Sequence, residues 1–196
     1  AIVLDLLRHC DVLLENFRPD VLGRMGFGPE RLKKINPSLI HCNINGFGVS
    51  GPYADRPAFD FIVQAMSGFM SCNGRADEPP MRSGVPIADL VCGLYAALGI
   101  AAALNGRERR THGTTLSVSM LASLMNMLSF HATNYLNSGE AAPRTGNDHA
   151  LVAPYGLYAT SDGEIAVAPS NDAVYGKFVK ALDLAETLQA PAFATN

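Results

Sequence analysis

The sequence predicts an α/β fold: an open, Rossmann-like parallel sheet in a large domain, followed by a smaller α+β domain. Short apolar runs at residues 11–15 and 39–44 have the length of strands, and helix-like residues separate them, which favours parallel pairing. A Gly-rich turn follows the second run, the position at which open parallel sheets bind ligands. Later strands at residues 156–160 and 164–168 are joined by Ser-Asp-Gly, which indicates a hairpin in the smaller domain.

The elements before the Gly-rich turn follow from apolar spacing and from proline. Residues 1–10 have the spacing of the end of an amphipathic helix that leads into the first strand. Pro19 begins a helix-like segment, because its ring fixes φ at a helical value. Pro29 begins a second short helix, with Glu30 in its first turn, and Asn-Pro at residues 36–37 ends it.

The rest of the large domain is predicted as helices with a third strand between them. Residues 59–68 read as a helix that carries Asp60 and Gln64 on one face, because residues four apart are neighbours on a helix. Residues 114–118 alternate between polar and apolar and predict a strand. Residues 120–136 are rich in Leu and Met and predict a single core helix.

Composition excludes several classes of protein. The chain of 196 residues has 48% hydrophobic and 17% charged residues, which is typical of a folded globular protein. The formal net charge of −3 argues against a general nucleic-acid binder. The four cysteines form no Cys-x-x-Cys pair, so zinc is not expected. Free thiols in apolar segments favour a reducing compartment, and we expect a cytoplasmic protein.

One carboxylate interrupts a long apolar run at residues 87–104. Asp89 is the only charged residue of this run, and carboxylates are rarely buried unless they are paired or used. Two compatible explanations stay open. Asp89 caps the helix by accepting backbone N–H bonds, or it is a functional carboxylate that the helix dipole keeps ionised, as a nucleophile requires.

The same run has the length of a membrane span. Its Ala and Gly content, its Asp and the lack of flanking aromatic anchors favour a buried helix of a soluble protein instead. We therefore expect no membrane as a partner. A basic cluster at residues 107–110 is expected to be a solvated turn.

The predicted domain boundary lies in a polar linker. Residues 1–137 form part of the large domain, residues 138–145 form the linker, and residues 146–196 begin the small α+β domain. The sequence begins within a helical pattern and stops abruptly at its C-terminal end. We therefore expect a fold that is incomplete at both ends and belongs to a longer protein.

Ordered motifs give the chain a family resemblance. They are Glu-Asn-Phe-Arg-Pro at 15–19, Arg-Met-Gly-Phe at 24–27, Gly-Phe-Gly at 46–48, Gly-Pro-Tyr at 51–53, Arg-Pro-Ala-Phe-Asp at 56–60, Asp89, and Arg-Thr-Gly-Asn at 144–147. Their order and spacing resemble the class III CoA-transferases, the group of formyl-CoA transferase, carnitine CoA-transferase and α-methylacyl-CoA racemase. The resemblance covers nearly the whole chain and implies an interlocked homodimer for the full-length protein.

The resemblance implies a mechanism and a set of site residues. The carboxylate that matches Asp89 attacks the thioester of an acyl-CoA, forms a mixed anhydride and releases coenzyme A, which then passes to a carboxylic acid acceptor. Coenzyme A is thus expected as part of the substrate, with no metal. The residues expected beside coenzyme A are Asn16, Phe17, Arg18, Arg24, Arg56, Pro57, Ala58 and Phe59.

A polar loop after the linker resembles the mobile segment that covers the reacting thioester in these transferases. It consists of Gly146, Asn147, Asp148 and His149. Formyl-CoA transferase has a glycine-rich segment here, whereas this chain has a single glycine. His149 is expected either to bind a carboxylate substrate or to cap a turn.

Two alternatives to transfer stay open. The racemase branch uses the carboxylate at the Asp89 position together with a histidine immediately before the residue that matches Asp60. This chain has Phe59 there, and phenylalanine cannot take a proton. The missing histidine argues for transfer over racemisation. The other alternative is a catalytically silent, coenzyme A-binding or structural piece of a larger assembly.

Overall fold

A computed structural model describes residues 2–107 and 112–184 of the chain. Its helices and strands, in chain order, are α1 Ile2–His9, β1 Val12–Glu15, a π-helical turn Gly23–Phe27, α2 Pro29–Ile35, β2 Ile40–Asn45, α3 Asp60–Met66, α4 Phe69–Cys72, α5 Ile87–Arg107, β3 Thr115–Ser119, α6 Met120–Asn126, α7 Phe130–Ser138, β4 Gly156–Ala159, β5 Glu164–Val167 and α8 Asp172–Ala181.

The chain divides into two compact units. The first comprises the residues up to Met70 together with Arg82–Glu140, and the second comprises Ser71–Met81 together with the residues from Ala141 onward. The sequence places residues 71–81 in the large domain, and the structure places them in the second unit instead. The reason is a set of hydrogen bonds between segments far apart in sequence. Arg144 donates to the carbonyl oxygens of Arg75 and Glu78, at 3.1 and 2.8 Å.

The sheet of the first unit is parallel, with the strand order β1-β2-β3. Its register aligns Leu13 with His41, and His41 with Thr115. Crossover segments that contain helices connect the strands, as parallel pairing requires. The second unit contains the antiparallel hairpin β4-β5. The predicted α/β class with a parallel sheet is confirmed.

The apolar core of the first unit lies between the sheet and α3, α5 and α6. Val63 and Leu124 are fully buried there, and Cys92 is 1% exposed. A second apolar cluster, around Leu7 and Leu32, joins α1 to α2. Each Å² of apolar surface that is removed from water stabilises the fold by about 25 cal/mol. These two buried clusters are therefore the main stabilising feature of the unit.

Helix α5, which the sequence predicts to be buried, is buried along one face only. Ala88, Cys92 and Ala96 face the core, and Leu94 and Leu98 are exposed. Within the described residues, α5 is the one helix with the length and apolar composition of a membrane span. Arg107 ends the helix and donates to Asp11 at 2.6 Å, and the rest of the predicted basic cluster lies outside the described residues.

The predicted single helix at residues 120–136 is wrong, because the structure breaks it into α6 and α7. Ser119 caps α6 by accepting the backbone N–H of Ala122 at 3.3 Å. Ser129 then takes a positive φ of 51°, which ends the helical path. No proline or glycine marks this break, and the apolar spacing runs through it unchanged. The break therefore leaves no local signal in the sequence.

The backbone at Gly113 passes very close to the backbone at Leu39. A Cβ added at Gly113 would lie 2.0 Å from the carbonyl oxygen of Leu39, where the chain enters β3 beside the start of β2. Gly113→Ala should therefore destabilise the protein by at least roughly 1–3 kcal/mol, because the clash is with backbone. Urea denaturation measures this loss.

Gly106→Ala is the matched control. A Cβ at Gly106, inside α5, meets no atom within 4 Å. Alanine is the better helix former by about 1 kcal/mol, so this variant should be as stable as the parent or more stable. Equal stability of the two variants would contradict the close approach at Gly113.

Candidate active site

The amino end of α5 is held by a carboxylate from a neighbouring helix. Oδ1 of Asp60, the first residue of α3, accepts the backbone N–H groups of Ala88 and Asp89, at 2.8 and 3.4 Å. The first N–H groups of a helix have no partner within it, so an outside acceptor is needed.

The predicted capping role of Asp89 is wrong. Asp89 is the third residue of α5 and lies inside its first turn, and Asp60 is the cap.

Gln64 connects this cap to the segment that precedes α5. Its side chain is fully buried. Nε2 of Gln64 donates to Oδ2 of Asp60 at 2.6 Å, and Oε1 accepts the backbone N–H of Ser83 at 2.8 Å. Both ends of the buried amide are thus bonded, as buried polar groups require. The shared helical face of Asp60 and Gln64 is confirmed, although the sequence does not reveal what the pair holds.

Asp89 is exposed, yet its surroundings disfavour the ionised form of its carboxyl group. Partial burial, and then the negative charge of Asp60, raise the pKa of Asp89 above its usual value. The expectation that the helix dipole favours ionisation needs this correction, since the two other effects act in the opposite direction. A carboxylate of raised pKa is more basic, which makes its ionised form a better nucleophile.

Cys92 lies one helical turn after Asp89 and is the nearest rival nucleophile. Burial first, together with the charge of Asp89, raises the pKa of the Cys92 thiol. Its Sγ lies 3.9 Å from the carbonyl oxygen of Val118, on the core side of the helix. A buried, protonated thiol is a poor nucleophile, whereas the Asp89 carboxylate is exposed.

A cavity of about 190 Å³ collects the residues predicted to bind coenzyme A, with the exception of Arg24. Its walls include Asn16, Phe17, Arg18, Arg56, Pro57, Ala58 and Phe59. The cavity adjoins the ends of β1 and β2, the side at which open parallel sheets bind ligands. Phe59, on its wall, directly precedes Asp60, so one short segment joins the cavity to the cap of α5.

Gly46 lets two walls of this cavity meet. A Cβ at Gly46 would lie 2.2 Å from Cβ of Ala58, a distance that side-chain atoms do not adopt. The carbonyl oxygen of Gly46 accepts the backbone N–H of Leu121 at 3.0 Å and lies 3.3 Å from Oγ of Ser119. The Gly-rich turn is thereby fixed against the start of α6.

The three arginines predicted to lie beside coenzyme A occupy different places. Arg18 and Arg56 line the cavity, and the Arg56 guanidinium lies 4.4 Å from the ring centroid of Tyr53. This stacking fixes the planar cation at the cavity wall. Arg24 does not line the cavity; its guanidinium lies 3.5 Å from the Asp20 carboxylate on the surface.

The predicted substrate loop lies in the second unit. There, Nδ1 of His149 accepts the backbone N–H groups of Leu151 and Val152, both at 3.1 Å. The ring also packs on Tyr155, with centroids 5.0 Å apart. Of the two roles expected for His149, these contacts favour the capping of a turn. An imidazole that accepts at Nδ1 carries its proton at Nε2 when neutral.

Comparison with known proteins identifies the family. The sequence model of CoA-transferase family III matches residues 1–196. The chain belongs to this family. It is 39% identical over 196 residues to the succinate–glutarate CoA-transferase of Agrobacterium fabrum, covering 100% of this chain and 49% of the relative. It is 40% identical over 197 residues to the acetyl-CoA:oxalate CoA-transferase of Acetobacter aceti, covering 100% and 51%.

A solved structure shows the same fold. The crystal structure of a CaiB/BaiF family protein from Brucella suis superposes on the chain with a TM-score of 0.83 at 39% identity, covering 100% of this chain and 52% of that one. The resemblance to class III CoA-transferases is thereby confirmed. The chain spans about half the length of the curated relatives it matches.

The raised pKa of Asp89 predicts a pH-dependent effect on stability. Because the pKa is higher in the folded than in the unfolded protein, ionisation of Asp89 destabilises the fold. The destabilisation is absent below the unfolded pKa and complete above the folded pKa. Asp89→Asn should therefore raise the melting temperature at neutral pH, and this gain should vanish as the pH falls into the acid range.

Thermal denaturation across this pH range measures the effect, and Asp60→Ala provides the contrast. Asp60→Ala loses the cap of α5 and should cost about 1 kcal/mol at neutral pH. A lower melting temperature for Asp89→Asn at neutral pH would show that the helix dipole outweighs burial and the Asp60 charge.

Proposed function

We propose that the protein is an acyl-CoA:carboxylate CoA-transferase with Asp89 as its nucleophile. Membership of CoA-transferase family III and the names of the relatives support the reaction class. The observation that carries the assignment to residues is the short connection between the cavity and the first turn of α5. Phe59 lines the cavity, and the next residue, Asp60, binds the backbone of Asp89.

The proposed reaction needs no reagent other than the acyl-CoA donor and the carboxylic acid acceptor. The Asp89 carboxylate attacks the thioester carbonyl carbon, the C–S bond breaks, and coenzyme A leaves as the thiolate. The thiolate then attacks the aspartyl carbonyl of the mixed anhydride, which releases the donor acid and leaves an aspartyl thioester. The acceptor carboxylate attacks the carbonyl of this thioester, the C–S bond breaks, and a second mixed anhydride forms as the thiolate leaves. The thiolate finally attacks the acceptor acyl carbonyl of that anhydride, which forms the acceptor acyl-CoA and frees the Asp89 carboxylate.

The covalent route solves a chemical problem. A carboxylate acceptor is a poor nucleophile towards a thioester, and an enzyme-bound anhydride divides the exchange into easier steps. The coenzyme must stay bound while its thiolate is free, and a held thiolate reacts at high effective concentration. In this proposal the cavity holds the coenzyme, and Phe59 and Asp60 connect the cavity to the turn that carries Asp89.

The cavity wall favours transfer over racemisation. Racemisation of an acyl-CoA needs two titratable groups, one on each face of the α-carbon. Phe59, which precedes Asp60, is apolar and 74% exposed, so it supplies no second group at that position. The interlocked homodimer and the cytoplasmic location stay predictions.

Trapping of the intermediate tests the nucleophile. The full-length protein, incubated with acyl-CoA and hydroxylamine, should carry a hydroxamate on the tryptic peptide of residues 83–107, which contains Asp89. Asp89→Ala should give no hydroxamate and should lower transfer by at least about a thousandfold, because the covalent route is lost. Mass spectrometry of the alkylated digest measures the label, since Cys92 lies in the same peptide.

Glu140→Gln is the matched control for the trapping experiment. Glu140 is an exposed carboxylate of the first unit, far along the chain from α5, and its neutralisation should leave transfer unchanged. Normal turnover by Asp89→Ala would refute the nucleophile.

Coenzyme A affinity tests the cavity. Arg56→Ala should weaken binding of coenzyme A by about ten- to a hundredfold, because one hydrogen bond from a charged group to the ligand is worth about 1.5–3 kcal/mol. Arg24→Ala, outside the cavity, should weaken it less. Isothermal titration calorimetry of the full-length protein measures both constants. A larger loss for Arg24→Ala would show that the main contacts to coenzyme A lie at Arg24, outside this cavity.

A further inference from the structure

A row of polar side chains crosses the parallel sheet of the first unit on one face. Glu15 on β1 lies opposite Asn43 on β2, and Asn43 lies opposite Ser117 on β3. Asn45, two residues after Asn43, points to the same face because side chains alternate along a strand. Glu15 is 8% exposed and Asn45 is 4% exposed. Asn43 is half-buried and Ser117 is exposed. Each of the two buried side chains, Glu15 and Asn45, needs hydrogen-bond partners within the protein.

Hydrogen bonds join these side chains into one chain, which we call the sheet network: Glu15, Asn43, Asn45 and Ser117. Nδ2 of Asn43 donates to Oε1 of Glu15. Nδ2 of Asn45 donates to Oδ1 of Asn43 at 2.7 Å and to Oγ of Ser117 at 2.9 Å. Nε2 of His41, which precedes Asn43 by two residues on β2, lies 3.4 Å from Oε1 of Glu15.

Each end of the sheet network binds the backbone of a segment at the cavity. Oε2 of Glu15 accepts the N–H of Phe17 at 2.8 Å, and Phe17 lines one wall. Oδ1 of Asn45 accepts the N–H of Gly48, in the Gly-rich turn that begins with the cavity residue Gly46. The two segments are therefore connected through side chains across the sheet.

We propose that Glu15 and Asn43 are positioning residues of the coenzyme A cavity, which set its width by tying the segment at Phe17 to the Gly-rich turn. This inference rests on the proposed function, which assigns the cavity to coenzyme A. Neither Glu15 nor Asn43 lines the cavity, so any effect on binding passes through the sheet network. A cavity held open in advance spares the ligand the cost of ordering two independent segments.

Two substitutions test the sheet network in the full-length protein. Glu15→Gln keeps the size of the side chain but leaves a single acceptor oxygen, so either Phe17 or Asn43 loses its acceptor. Asn43→Ala removes the middle of the network. Each should raise the dissociation constant of coenzyme A by about tenfold, the effect of one unsatisfied buried polar group. Isothermal titration calorimetry measures the constants.

The double variant Glu15→Gln, Asn43→Ala distinguishes one network from two separate effects. Residues that act through the same chain of hydrogen bonds are not additive. The double variant should therefore bind about as weakly as the weaker single variant. Asn43→Ser, whose side chain is too short to bridge Glu15 and Asn45, replaces Asn43→Ala if the alanine variant does not fold.

Asn36→Ala is the matched control, because it should lower the stability of the protein without changing the cavity. Asn36 joins α1 to α2 by donating to the carbonyl oxygens of Leu7 and Cys10, at 3.1 and 3.0 Å, and it does not line the coenzyme A cavity. Its loss should lower the melting temperature as much as Glu15→Gln does. The dissociation constant of coenzyme A should stay at the parent value.

The outcomes separate the inference from the proposed function. The inference alone is overturned if the parent binds coenzyme A and both network variants have the same dissociation constant as Asn36→Ala. Losses that multiply in the double variant would also overturn it, because they would show two independent sites. A parent protein that does not bind coenzyme A would overturn the proposed function and the inference together.

Discussion

The hydrogen bonds from the start of α5 to the Asp60 carboxylate determine how the candidate site is built. Ala88 and Asp89 both donate their backbone N–H groups to this one oxygen. The bonds attach α5 to α3, and they fix the turn that carries the Asp89 side chain. Gln64 anchors the other carboxylate oxygen from a fully buried position. A nucleophile on a rigid element, supported by bonded neighbours, keeps the geometry that its chemistry needs.

The same interaction places two carboxylates close together, and this has an electrostatic consequence. Partial burial, and after it the negative charge of Asp60, raise the pKa of Asp89. Such a pair is unfavourable for stability, but it makes Asp89 more basic, and functional sites commonly carry this kind of destabilisation. In the proposed mechanism, acylation removes the charge of Asp89 and with it the repulsion from Asp60. The repulsion thus favours formation of the anhydride over the free carboxylate.

Local patterns in the sequence determine the elements and most of the residues at the cavity. Strand-length apolar runs with helices between them predict the parallel sheet, because periodicity and crossover length are local properties. The ordered motifs predict that Asn16 and Arg56 lie beside coenzyme A, and both line the cavity. The isolated charge of Asp89 is visible in the sequence, since a lone carboxylate in an apolar run needs a reason.

Tertiary structure alone decides how these parts are joined. The cap of α5 comes from Asp60, 29 residues before Asp89, and the bond from Asn45 to Ser117 crosses 72 residues. The break between α6 and α7 follows from the positive φ of Ser129, which no local residue type announces. Residue type and spacing thus determine which groups are available, whereas long-range pairing decides their partners. That pairing depends on contacts between distant segments, which periodicity along a single chain does not encode.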